Sequence, residues 1–362
     1  MRPVAWLRSI VWNGEERRPR LPIRVVLAIV VFGLLGIGTA LGVGRLPVSA
    51  PSGTAALVVS GLGSLAIVVV GCVIIARTID RRRFGDYGLR IDRAWWIDCG
   101  FGLVLGALLQ TAIFLVGWAA GWYVPRGTFV STGGFAGAFA SVLVLFLAVG
   151  IYEELLIRGW LLTNLVEGLR FVGERVAVGL AVAVSSGVFG VLHAMNPNAT
   201  SLSTAIIGLA GVFLALGYVL TGELAIPIGV HVTWNFTQGA VFGFGVSGLS
   251  VPATVIETQV AGPTFLSGGQ FGPEGGLLGL CGVLVGCVAI AWWVKQRTGV
   301  LRIHPTVLAP ELVTGRSDAD RNESDETESN SESDKTESDE TDKTESDETE
   351  ADKTESNETE EV

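Results

Sequence analysis

Charge is scarce in most of this chain. Only 17% of its residues are Asp, Glu, Lys or Arg, and these sit in short stretches between long apolar runs. With 49% hydrophobic residues and a mean hydropathy of +0.51, that distribution excludes an ordinary soluble domain and points to the membrane. Cysteine is also scarce: Cys72, Cys99, Cys281 and Cys287 all fall in or beside apolar runs and form no CxxC, so neither a disulfide framework nor a cysteine metal site is expected. The absence of HExxH excludes a conventional zincin. No repeat relates the two halves of the chain, which argues against a proton-coupled transporter. The first apolar run starts late, is long enough to span and lacks a convincing small-residue cleavage site, so a cleavable signal peptide is not expected.

What is present is a series of apolar stretches. A spanning helix needs about 20 residues, and eight candidates meet that test: Ile23 to Val43, Thr54 to Ala76, Ile97 to Trp122, Ala136 to Leu156, Val176 to Ala194, Leu202 to Leu220, Leu224 to Val246 and Gly276 to Val294. The fold class expected is all-α, a polytopic membrane bundle of about eight transmembrane helices with a disordered acidic C-terminal tail. Four parts follow: N-terminal helices 1–3 over residues 1–135, a core of helices 4–7 over 136–246, a last loop and helix 8 over 247–312, and the tail over 313–362. The many glycines inside the runs suit close helix contact in lipid.

The net charge of −10 conceals two opposite parts. Residues 317–362 hold 21 acids and 4 bases, a net −17, whereas the other 316 residues carry a net +7. The tail repeats DKTESDET twice and then DKTESNET, too polar a sequence to bury surface against the entropy of ordering. Basic clusters at Arg2 to Arg24, Arg77 to Arg93, Arg158 to Arg175 and Lys295 to Arg302 fall on one side of an eight-span topology. The positive-inside bias then puts both termini in the cytoplasm of a multi-pass cell-membrane protein. Membrane lipids are its expected surroundings, and no nucleic-acid partner is expected.

Ionisable groups within such spans cost about 2.5 to 3.5 kcal/mol each, so the few present demand a reason. Glu153, Glu154 and Arg158 end the fourth run, Phe189 and His193 lie in the fifth, and His231 and Asn235 in the seventh. Neighbours on a helix point about 100° apart, so Glu153 and Glu154 cannot face one cavity together. Glu154 and Arg158, four apart, form a favourable pair, which leaves Glu153 for another task. Glu153 and His193 lie equally far from Gly173, so an antiparallel hairpin folded there brings them level. The stretch Leu161 to Phe171 then either continues the fourth helix or lies along the interface.

A carboxylate, two histidines and an amide suit hydrolysis, with a base for water and donors for an oxyanion. The set Glu153, His193 and His231 could equally ligate zinc. Simple helix-to-helix pairing is the structural alternative.

At these residues the sequence resembles the CPBP family of intramembrane proteases, which includes type 2 CAAX prenyl endopeptidases and bacteriocin-processing or immunity proteins. The pattern EExxxR, FxxxH, HxxxN reads here as Glu153-Glu154 to Arg158, Phe189 to His193 and His231 to Asn235, within roughly Ser141 to Ala240. The resemblance implies an endopeptidase acting near the C-terminus of prenylated or hydrophobic membrane-associated peptide or protein substrates. It assigns water activation to Glu153 with His193, and oxyanion stabilisation to His231 and Asn235. It leaves open whether a metal takes part. The alternative within the same family is a non-proteolytic immunity or scaffold protein.

Overall fold

The computed structural model describes residues 11–43, 53–309 and 312–313. The tail expected over 313–362 lies, but for Val313, outside them, as do Arg2, Arg8 and Arg45.

A two-stranded ribbon, β1 (Trp12–Asn13) and β2 (Arg18–Pro19), leads into α1 (Leu21–Val43). After α2 (Gly53–Ile75) the helix widens to π geometry over Ala76–Asp80 and ends at Arg81. Helix α3 (Arg93–Ala119) starts on an N-cap, the Asp92 carboxylate accepting from the Trp95 amide. Next come β3 (Tyr123–Ser131) and α4 (Phe135–Glu154), which runs without a break through a π segment, Leu155–Leu162, into α5 (Thr163–Leu169). The chain turns at Gly173 (φ +95°) into α6 (Glu174–His193). Leu161 to Phe171 therefore mostly continues the fourth helix. Beyond it lie α7 (Ser201–Thr221), α8 (Ala225–Phe236) with a π extension over Thr237–Val241, and β4 (Ala253–Val260). The short α9 (Thr264–Ser267), then α10 (Leu277–Thr298) and α11 (Pro305–Leu308), complete the described elements. Strands β3 and β4 pair antiparallel, with an irregularity between Pro125 and Gly127.

Among the described residues, seven helices are long and apolar enough to cross a membrane. The remaining candidate, the seventh in chain order, Leu224 to Val246, takes a different form: α8 and its π extension cover only 17 residues, Ala225 to Val241. Nearly all of its side chains are buried inside the bundle. A helix enclosed by other helices need not match the hydrocarbon thickness, which explains its shortness.

Two glycines hold α8 against α3. A Cβ on Gly102 would stand 2.5 Å from the Ile226 carbonyl oxygen, and one on Gly229 would stand 2.4 Å from that of Cys99. These small residues let the backbones touch, as packing without a hydrophobic drive requires. Gly150 brings α4 to the same helix, where a Cβ would strike Val232. Helix α8 is thus fixed from two sides at the level of its polar residues.

A buried charge cluster ties the N-terminal ribbon to α5. Glu167 accepts from Arg18 (3.0 Å), Arg24 (2.9 Å) and Arg82, while Asp80 accepts from Tyr87 (2.7 Å) and Asn164 (2.8 Å). Three guanidinium groups on one carboxylate make this a fastening in which each member needs the others.

Candidate active site

The hairpin at Gly173 has the consequence its spacing implies. Glu153, near the end of α4, and His193, at the end of α6, line one cavity of about 310 Å³, together with His231 and Asn235 of α8. The cavity extends between α4 and the first half of α2, past Ser60 and Ser64, to the loop at Val246 to Val251. A smaller lobe of about 40 Å³ lies on the other side of His193, His231 and Asn235, and Phe213, Trp234 and Val283 are among its walls. The three polar residues therefore stand where the two spaces meet.

Glu153 and Glu154 divide as their helical spacing requires. Glu154, fully buried, accepts from Arg158 Nη1 at 2.7 Å. It also accepts from His231 Nδ1 at 2.7 Å, a contact that spacing along one helix does not disclose. Because a carboxylate only accepts, the proton sits on Nδ1. His231 Nε2 then faces Glu153 Oε2 at 3.7 Å. That Glu153 oxygen has no hydrogen-bond partner in the protein, although it is buried.

Phe189 is the pivot of the site. The Arg158 guanidinium lies 4.5 Å from the centre of its ring, His193 is tilted against it at 4.6 Å, and His231 meets it edge-on at 6.1 Å. His193 Nδ1 donates to the Phe189 carbonyl at 2.8 Å, one turn back along α6. That bond leaves Nε2 as the free nitrogen of a ring that lines both lobes. Arg158 Nη2 also donates to the Gly211 carbonyl at 3.1 Å, which brings α7 into the same unit.

A metal needs several donors around one point. Among the described residues no three His, Cys, Asp or Glu side chains are grouped closely enough to hold one. Glu153, His193 and His231 border the same cavity without closing on a common centre.

Two residues at the cavity escape motif reading. Glu274, in the turn Pro273–Gly275 before α10, borders the smaller lobe. It accepts from Ser247 Oγ at 2.9 Å, from the Ser247 amide, and from Trp234 Nε1 at 3.2 Å. Burial raises its carboxyl above the usual range, against the opposing pull of the Ser247 donors, His193 and Trp234. Ser247 itself takes a left-handed backbone (φ +48°), uncommon for a residue with a side chain. The one signal in the sequence was an acid three residues before a membrane-length helix, in a loop otherwise rich in glycine.

Residues 135–237 match the model of a family described as type II CAAX prenyl endopeptidase Rce1-like. No curated protein and no solved structure matches the chain. The matched segment holds Glu153, Glu154, Arg158, Phe189, His193, His231 and Asn235. Residues 135–237 are therefore similar to an Rce1-like domain, and they lie in a chain whose described residues include seven helices long and apolar enough to cross a membrane, as a multi-pass membrane protein requires.

Proposed function

We propose that the protein is an intramembrane endopeptidase that cleaves near the C-terminus of prenylated or otherwise hydrophobic membrane-associated substrates. The observation that carries the reading is the single cavity bordered by Glu153, His193, His231 and Asn235, with one buried Glu153 oxygen uncommitted to any protein donor. A water between Glu153 and His193 Nε2 gives its proton to the Glu153 carboxylate as its oxygen attacks the scissile carbonyl carbon. The oxyanion that forms is met by the Asn235 amide. It is also met by His231 Nε2–H in the ring's doubly protonated form, whose charge Glu154 offsets across the 2.7 Å bond. Glu153 then returns the proton to the departing nitrogen, and the C–N bond breaks to give a carboxylic acid and an amine, with the Glu153 carboxylate restored. Low polarity around the site strengthens each of these interactions. Zinc is the cofactor alternative, and to hold it Glu153, His193 and His231 would have to close on a common centre that they do not share in this arrangement. The basic clusters support cytoplasmic termini.

The test is cleavage of a fluorogenic prenylated CAAX peptide by the purified protein in liposomes, beside Glu153→Gln and with or without a strong zinc chelator. Turnover by the wild type alone supports hydrolysis. Loss of turnover on chelation transfers water activation to a metal, and a well-folded wild type that cleaves no peptide favours the immunity or scaffold reading.

A further inference from the structure

We infer that Glu274 is a positioning residue of this site, a carboxylate that locks the catalytic helix α8 to the loop closing the cavity. The inference rests on the endopeptidase reading and adds to it a residue outside the matched domain.

Glu274 serves both of its oxygens to donors on different segments. Oε2 takes Trp234 Nε1, one residue before Asn235, and Oε1 takes the amide and hydroxyl of Ser247. Ser247 in turn is held from the opposite side, since Asn196 Nδ2 donates to its carbonyl at 3.0 Å. Asn196 lies three residues past His193, in the turn that ends α6. The chain of contacts therefore runs from Asn235's neighbour through Glu274 and Ser247 to His193's neighbour. It spans the two sides of the cavity where the water and the oxyanion would be handled.

The loops are shaped to permit this. The Gly248 amide donates to the Phe271 carbonyl at 2.8 Å, and a Cβ on Gly248 would stand 1.8 Å from the Pro197 carbonyl oxygen. Gly272 (φ +118°) has equally little room beside the Gly245 carbonyl. Bare backbone at these points lets three loops interlock around one buried acid. A buried acid costs stability unless its oxygens are bonded, and here the bonding partners are the parts that must be held. Glu274 commits both oxygens within the protein, which distinguishes it from Glu153 and from a group that exchanges protons with substrate.

Hydrogen-bond polarity supplies the test. Gln in place of Glu274 offers one accepting oxygen, so its amide nitrogen must face either Ser247 or Trp234, each a donor. In the full-length protein, Glu274→Gln should lower kcat about tenfold or more with KM within about twofold, because misplacement of reacting groups acts on the chemical step. Glu274→Ala removes both acceptors, so hydrogen exchange over residues 244–250 should quicken in that variant as the Ser247 amide loses its acceptor. Trp234→Phe removes the donor that conflicts with the introduced amide nitrogen, so Glu274→Gln with Trp234→Phe should recover activity above that of Glu274→Gln alone. If Glu274→Gln does not fold, Ser247→Gly keeps the left-handed backbone and the amide donor but loses the hydroxyl, and should reduce kcat about threefold. Wild-type kinetics in these variants, or a second substitution that only deepens the loss, overturns the assignment. Should the wild type cleave no peptide, the hydrolytic reading fails separately. Exchange then decides the clamp, and unchanged protection in Glu274→Ala rejects it.

Discussion

His231 donates through Nδ1 to Glu154, 2.7 Å away, and turns Nε2 toward Glu153, 3.7 Å away, so one imidazole connects two adjacent glutamates that point in different directions. The pair is therefore unequal. Glu154 is bound through Oε1 to Arg158 and His231 in a buried ion cluster, whereas Glu153 borders the cavity and makes no such ion cluster, although each glutamate leaves its Oε2 without a hydrogen-bond partner.

That inequality predicts opposite phenotypes for the same chemical change. Glu154→Gln leaves the Arg158 charge, 0% exposed, without its counter-ion, and should cost about 3–5 kcal/mol of stability. Activity would fall with the folded fraction. Glu153→Gln should shift stability by less than about 0.5 kcal/mol, yet lower turnover by about 100-fold or more as the base is lost. Thermal unfolding in detergent beside peptide cleavage separates the two, and a stable, inactive Glu154→Gln would contradict the division of labour.

The contrast shows what local sequence rules can and cannot reach. Residues four apart on one helix meet, so the pairing of Glu154 with Arg158 was legible from spacing. Equal distances from Gly173 placed Glu153 and His193 level because a continuous helix has a constant rise. The His231 to Glu154 bond joins α8 to α4 across 77 positions and follows from no period. Glu274 reaches the site because interlocking glycine loops fold it there, and loop paths carry no periodic signal. The shortness of α8 escaped for a related reason, since hydropathy reads the continuing apolar residues 242–246 as helix where the chain has already left it.

A pH effect is expected from the other end of the chain. His304 follows α10, is half-buried, and bonds Thr306 at 2.7 Å. Burial, then the charges of Arg90 and Arg302, lowers its pKa from the ordinary 6.5. Below that value the unfolded chain takes up a proton that the folded protein still refuses. His304 thus contributes stability above pH 6.5 that is lost as the pH falls toward its folded pKa. Unfolding midpoints measured from about pH 7.5 down to about pH 5 should drop more in wild type than in His304→Gln. Parallel curves would show that His304 titrates alike in both states.

Backbone contact at α8 gives the last prediction. The Gly229 position faces the Cys99 carbonyl oxygen at 2.4 Å and the Leu103 amide at 2.8 Å from an added Cβ, neither of which can rotate away. Gly229→Ala must therefore push α8 from α3, at an overpacking cost of about 1–3 kcal/mol. His231 and Asn235 lie two and six residues further along that helix. The shift that accommodates one methyl group should accordingly reach both, and a displacement of catalytic groups near 1 Å lowers turnover by about 100-fold. Gly33 of α1 provides the comparison, because an added Cβ there meets nothing within 4 Å. Gly33→Ala should leave turnover unchanged and hold or raise the melting temperature, since Ala favours helix over Gly by about 1 kcal/mol. Equal effects of the two substitutions would mean that glycine flexibility, and not the contact between α3 and α8, governs the position of the site.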